Sequence, residues 1–173
     1  MSFQIPTLLH LSFKRIPNGV WYPRQPAGMK WNKKLNTKRK YPEPDFKRIC
    51  VSETIDGCFM AVYPNIHQFF EDAQYDYPHV DFYYYMVDSK NTLTEKEVLS
   101  PLQLTDKHYV WDAHLTREWS ILVPIHMRLK GRVRFHNTAK ETNWIETFPF
   151  DDNANDLKTV CPPLRYEFLE VIK

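Results

Sequence analysis

The sequence predicts an α+β fold: a single strand-rich domain over residues 1–173, with mixed or antiparallel sheets and one main helix after the second core strand. Three observations predict it: short apolar runs bounded by turn residues, one stretch of helical spacing after residue 54, and strict alternation over 127–135. At 173 residues, with 43% hydrophobic and 15% aromatic content, the chain can bury a substantial core.

The N-terminal part predicts short strands around one long loop. Residues 7–13 have a strand pattern, and Pro17-Asn18-Gly19 marks a turn before a short strand at 20–22. A basic, Pro-containing loop follows at about 23–46, of a length typical of lids and binding loops. Residues 47–52 are predicted to form a buried strand.

The main helix is predicted to begin just after this strand. Ser52 or Thr54 is a suitable N-cap, and apolar residues then recur at helical spacing, at Ile55, Phe59, Val62 and Ile66. Pro64 should break the helix, so residues 66–73 are predicted as a second, short helix.

The second half predicts four more strands, at 81–87, 118–125, 127–135 and 164–172, whereas 97–115 shows no decisive pattern. The alternation over 127–135 is the clearest signal. Its apolar positions are Met127, Leu129, Val133 and Phe135, and its basic positions are Arg128, Lys130, Arg132 and Arg134. We therefore expect one core face and one cationic face.

Positive charge is concentrated in the N-terminal part of the chain. The segment 14–48 holds 11 Lys and Arg against two acids, a local charge of +9, although the whole chain carries only +2. Aromatic residues lie among these bases, at Trp21, Tyr22, Trp31 and Tyr41. Together with the basic strand face they favour an anionic partner such as nucleic acid; the alternative is a solvated loop and sheet face.

Cysteine and histidine spacing argues against metal and disulfide frameworks. The three cysteines are an odd number without a CxxC motif, and Cys50 and Cys58 have the apolar surroundings of core residues. The histidines at 67, 79, 108 and 114 match no established ligand spacing, so no metal site is predicted. No signal peptide or membrane span is expected, and we predict a cytoplasmic protein without membrane contact.

Three short islands carry the candidate chemistry. His10 lies within the first strand, Ser52 and Thr54 flank a strand-to-helix turn, and Glu118 begins a later apolar strand. A strand-borne Glu can stabilise a developing cation, and the other groups can hold a ribose or an anion. The alternatives are a core histidine, helix capping and a surface glutamate, respectively.

The order of these islands resembles the ADP-ribosyltransferase-like superfamily, whose first strand carries His or Arg, second strand Ser/Thr or Tyr, and later strand the catalytic Glu. The matching segments are LLHLSF, ICVSETI and TREWSIL. The resemblance implies NAD as substrate, with Glu118 catalytic. Thr116 stands where the Gln or Glu of arginine- or nucleic-acid-modifying members would be, and this leaves the acceptor open.

The chain is also similar to small bacteriophage proteins of no established function. The shared segments are LHLS at 9–12, PRQP at 23–26, RICVSETIDGC at 48–58 and TREW at 116–119. We assign Arg24 of PRQP, with His10, Ser52 and Thr54, to cofactor binding. The expected function is a mono-ADP-ribosyltransferase-like protein using NAD on a host factor. The alternative is a non-enzymatic inhibitor of a host defence system that binds a protein, a nucleotide or nucleic acid.

Overall fold

The computed structural model describes residues 4–25, 46–62, 78–110, 112–137 and 165–172. The lysine-rich part of the basic loop, the short helix predicted at 66–73 and the acidic stretch 151–156 lie outside the described residues. So does Cys161.

The described chain forms one antiparallel sheet of eight strands in the order β2-β7-β4-β1-β3-β6-β5, with β8 paired to β7. The strands are β1 (Leu9–Ser12), β2 (Gly19–Trp21), β3 (Ile49–Ser52), β4 (His79–Val87), β5 (Val98–Leu99), β6 (Glu118–Ile121), β7 (Ile125–His136) and β8 (Tyr166–Val171). The α+β, strand-rich class is thereby confirmed. The finer expectation of an ADP-ribosyltransferase-like fold stays a prediction.

Three helices lie among the described residues: α1 (Ile55–Val62), α2 (Pro101–Asp106) and α3 (Ala113–Thr116). Helix α1 confirms the main helix after the second core strand. Helices α2 and α3 fall in the stretch where no element was predicted. Ser100 and Gln103 form a capping box around Pro101 at the start of α2, so a local signal for this helix was present.

Each face of the sheet has its own apolar cluster. The first face carries residues that pack under α1, among them Leu11 and Phe82, which join Phe59 of the helix in one cluster. The second carries another set, among them Leu8, Tyr85 and Trp119. Since neighbours along a strand point to opposite faces, this division fixes which side chains can share a site.

A bulge in β7 corrects the prediction of one core face and one cationic face. Burial alternates along β7 as expected, but Tyr84 pairs with Gly131 while Tyr85 pairs with Leu129, so one residue of β7 is extra. The side chains of Ile125, Met127 and Leu129 therefore pack into the second cluster, and those of Val133 and Phe135 pack into the first. The basic side chains are split between the two faces in the same way.

The arginines of β7 also have acidic partners. Asp81 binds Arg132 at 3.0 Å and Arg134 at 2.7 Å, and Asp88 binds Arg128 at 2.9 Å. Their positive charge is therefore partly offset within the sheet. No described helix has the length and apolar character needed to cross a membrane.

Candidate functional site

The three predicted islands lie on three adjacent strands in the middle of the sheet. β3 is flanked by β1, which carries His10, and by β6, which carries Glu118. Ser52 is the register partner of both Leu9 and Glu118, so Ser52 and Glu118 share one face. The fold thus brings together residues that are 66 positions apart in sequence.

Glu118 is buried, with 6% of its surface exposed, so the alternative of a surface glutamate is wrong. Its carboxylate lies beside two thiols: it is hydrogen-bonded to Cys50 and acts electrostatically on Cys58. Burial raises the pKa of both thiols to about 12, with the negative charge of Glu118 adding to the shift. Both cysteines therefore remain protonated donors near the carboxylate rather than nucleophiles.

Ser52 and Thr54 are already engaged in local structure. The hydroxyl of Ser52 donates to the Thr116 carbonyl at 2.7 Å and accepts from the Thr54 N–H at 3.2 Å. The hydroxyl of Thr54 accepts from the Gly57 N–H at 3.0 Å, which caps α1. The Thr54 side chain therefore caps the helix, which is the alternative to ligand binding that the sequence left open.

Gly57 permits the close packing of α1 on this site. A Cβ at residue 57 would overlap the carbonyl oxygen of Thr116 and the hydroxyl of Ser52. Helix α1 therefore lies directly over the Ser52–Thr116 hydrogen bond, next to Glu118.

His10 lies where β1 and β3 separate. Among the described residues, Leu9 and Ser52 are the one register pair between these strands. Beyond them the His10 ring occupies the gap, with Nδ1 donating to the Cys50 carbonyl at 2.8 Å, because a carbonyl oxygen can only accept. Burial, with a smaller contribution from Arg24, lowers the pKa of His10. The imidazole is therefore neutral, and Nε2 carries a lone pair.

Strand alternation places His10 on the opposite face from Ser52 and Glu118. Its ring packs against Trp21 at 5.1 Å between centroids, and Trp21 belongs to the second cluster. The two faces meet at Cys50, whose carbonyl binds His10 and whose thiol binds Glu118. The structure thus unites Ser52 with Glu118 and links His10 to them only through this residue.

Arg24 extends the site from the other side of the gap. Its backbone forms an isolated antiparallel bridge with Arg48, with two N–H···O bonds of 3.2 and 3.0 Å. Arg48 is buried, and its side chain hydrogen-bonds the Cys50 thiol. The sequence did not single out Arg48 and Cys50 as site residues. A signal was present, because residues 48, 50 and 52 of RICVS alternate along the strand and therefore share one face.

On one face of the sheet, the Glu118 carboxylate and the Arg48 guanidinium thus lie at the Cys50 thiol, and on the other face the neutral His10 imidazole lies at the Cys50 carbonyl. Such a set suits an oxygen-rich, anionic ligand and a developing positive charge. Among the described residues, no group of three or more His, Cys, Asp or Glu side chains is placed to hold a metal ion. Comparisons with protein-family models, curated proteins and solved structures give no match to this chain.

Proposed function

We propose that the protein is a mono-ADP-ribosyltransferase-like enzyme that uses NAD at Glu118, acting on a host factor of the kind a phage protein would meet. The observation that carries the proposal is the placement of the His, Ser and Glu islands on three adjacent strands, with Ser52 directly opposite Glu118. The same order of strand-borne groups motivates the resemblance to that superfamily.

In this proposal, Glu118 stabilises the positive charge that develops on the ribose as its bond to nicotinamide breaks. Nicotinamide leaves with the bonding electrons, and an acceptor nucleophile forms the new bond to the same ribose carbon. Burial lowers the local dielectric, so a carboxylate at this position acts more strongly than one in water. His10 lies on the other face of the sheet and is linked to Glu118 only through Cys50, so it is given no contact with this ribose.

A second candidate function is nucleotide binding without turnover, as in a contact inhibitor of a host defence system. Two observations favour it. The Ser52 hydroxyl is occupied by Thr116 and Thr54, and His10 faces away from Glu118. A fold that retains the strands but not the full set of converging groups binds its ligand without catalysing transfer.

The deciding experiment compares wild type, Glu118→Gln and Glu95→Gln with NAD labelled in the adenylate part, in the presence and absence of host lysate. Glu95 is exposed in a turn and supplies the matched control. We expect Glu118→Gln to lower label transfer or nicotinamide release by about 10²- to 10³-fold, with Glu95→Gln at the wild-type rate. Circular dichroism checks that both variants are folded.

Calorimetry with NAD and ADP-ribose separates the two candidates. Micromolar binding with no nicotinamide release favours the binding function. Transfer that persists undiminished in Glu118→Gln removes the catalytic role of that residue. No binding of NAD or ADP-ribose by the folded wild type rejects both candidates.

A further inference from the structure

A small cavity lies where the bulge of β7 meets β8. The bulge leaves one residue of β7 extra, and the pairing of β7 with β8 shifts register again between Arg132 and Val133. Beside this irregularity is a cavity of about 190 Å³, whose lining includes Arg15, Tyr83, Leu129, Arg132, Glu170 and Ile172. Bulges re-aim side chains and are frequent next to binding sites, so this part of the sheet is a candidate site.

The size and place of the cavity separate it from the proposed NAD site. A cavity of about 150 Å³ holds one benzene molecule, whereas pockets for drug-sized ligands measure about 300–1,000 Å³. At about 190 Å³, the cavity suits a molecule of the size of a small amino acid and is smaller than a nucleotide requires. Tyr83 and Leu129 belong to the second cluster, so the cavity lies on the face of the sheet opposite Glu118.

One row of side chains leaves the charge of Glu170 available at this cavity. Tyr83, Arg132 and Glu170 are register partners on β4, β7 and β8, so all three lie on one face of the sheet. An arginine directly across from a glutamate is a stabilising pair. Here the Arg132 guanidinium instead binds Asp81 at 3.0 Å and lies over the Tyr83 ring at 5.7 Å.

Arg15 supplies the opposite charge at the same cavity. Arg15 and Glu170 are both exposed, and within the described part of the chain neither forms an ion pair with the other or with a third residue. A guanidinium binds a carboxylate through two parallel hydrogen bonds, and a carboxylate accepts hydrogen bonds from an ammonium group. Leu129 and Ile172 add apolar surface to the same lining. The cavity therefore offers complementary groups to a ligand that carries both charges and an apolar part.

We infer that this cavity binds a free apolar amino acid in its zwitterionic form. The carboxylate of the ligand binds Arg15 and its ammonium group binds Glu170. Its side chain contacts Leu129 and Ile172. Arg132 acts as a fixed wall, because its guanidinium is already engaged. This binding site is independent of the proposed transferase activity.

An NMR titration with L-valine tests the site. The matched control ligands are N-acetyl-L-valine, which lacks the ammonium charge, and L-valinamide, which lacks the carboxylate. We expect L-valine to shift the backbone amide signals of residues 129–132 and 170–172, and each control ligand to bind about tenfold more weakly. An absence of such shifts at millimolar L-valine would overturn the inference, and so would equal binding of the three ligands.

Variants of the two charged residues test their roles. We expect Arg15→Gln and Glu170→Gln each to weaken L-valine binding by about tenfold. Arg15→Lys should recover part of the loss, because it keeps the charge but loses the planar fork. Lys14→Gln and Glu95→Gln are the controls, since both side chains are exposed and neither lines the cavity, and they should bind L-valine as the wild type does. Losses as large in the controls would reduce the effect to net charge and overturn the site.

Discussion

At the scale of single residues, the site is defined by polar groups that the sheet buries. Glu118 and Ser120 on β6 lie opposite Ser52 and Cys50 on β3, and all four point to the face covered by α1. Ser120 is fully buried, and its hydroxyl has no hydrogen-bond partner among the described residues. Burying so many polar side chains lowers the stability of the folded protein. Their presence in the core is therefore better explained by function than by stability.

The buried thiols predict how stability depends on pH. In the unfolded chain a thiol ionises near pH 9.0, whereas in the folded protein the pKa of Cys50 and Cys58 is about 12. Between these values the unfolded state has lost protons that the folded state keeps, so rising pH favours unfolding. We expect the free energy of unfolding to fall above pH 9 by about 1.4 kcal/mol per pH unit for each thiol.

Urea titrations of wild type and Cys58→Ala between pH 8 and about 10.5 test this dependence. The variant loses one titrating thiol, so its slope above pH 9 should be shallower by about 1.4 kcal/mol per pH unit. Parallel slopes in the two proteins would show that Cys58 ionises normally in the fold.

At the scale of elements, the bulge in β7 decides which face of the sheet each side chain of that strand occupies. Gly131 adopts φ +149°, and a Cβ there would overlap the Glu170 carbonyl of β8 and press on the Tyr84 ring. This conformation and contact let β8 pair closely with β7. Only glycine meets both requirements at this position.

We therefore expect Gly131→Ala to destabilise the protein more than Gly19→Ala. Gly19 also has a positive φ, of +140°, but a Cβ there meets no atom within 4 Å. The control isolates the collision from the backbone strain, and the collision should add about 1–3 kcal/mol to the loss. Urea unfolding measures the difference, and hydrogen exchange should show faster exchange in β8. Equal losses in the two variants would mean that β8 accommodates the extra methyl group.

At the scale of the whole molecule, the charge of β7 is distributed differently from the single cationic face that the sequence predicts. The bulge puts Arg128 and Arg132 on opposite faces, and Asp88 and Asp81 offset them. The segment 14–48 holds 11 Lys and Arg against two acids, and six of those bases lie outside the described residues. Nucleic acid as a partner stays a prediction that depends on that segment.

If a polyanion binds, its affinity should depend on the loop lysines more than on β7. We expect Lys33→Gln with Lys34→Gln to weaken RNA or DNA binding several-fold more than Arg132→Gln with Arg134→Gln, because Asp81 already binds both β7 arginines and offsets part of their charge. Anisotropy titrations at 50 and 200 mM salt measure both; contact with about six phosphates should lose roughly 10³-fold across that range. A larger loss from the β7 variant would restore the cationic-face prediction.

The sequence by itself determined the local elements. Apolar runs and turn residues were sufficient to predict β1, β3, β4 and the helix after Ser52, because strand and helix periods are local properties. Local capping chemistry also signalled α2, at Ser100 and Gln103. Residue types in the three islands were sufficient to nominate Glu118 and Ser52.

Only the tertiary structure decided which of those residues meet. The strand order put His10, Ser52 and Glu118 on neighbouring strands, but the pleat turned His10 to the other face. The bridge that opposes Arg24 and Arg48 joins residues 24 positions apart, and no local pattern encodes it. Strand pairing and sheet face depend on register, and register is set by packing across the whole sheet rather than by neighbouring residues in the chain.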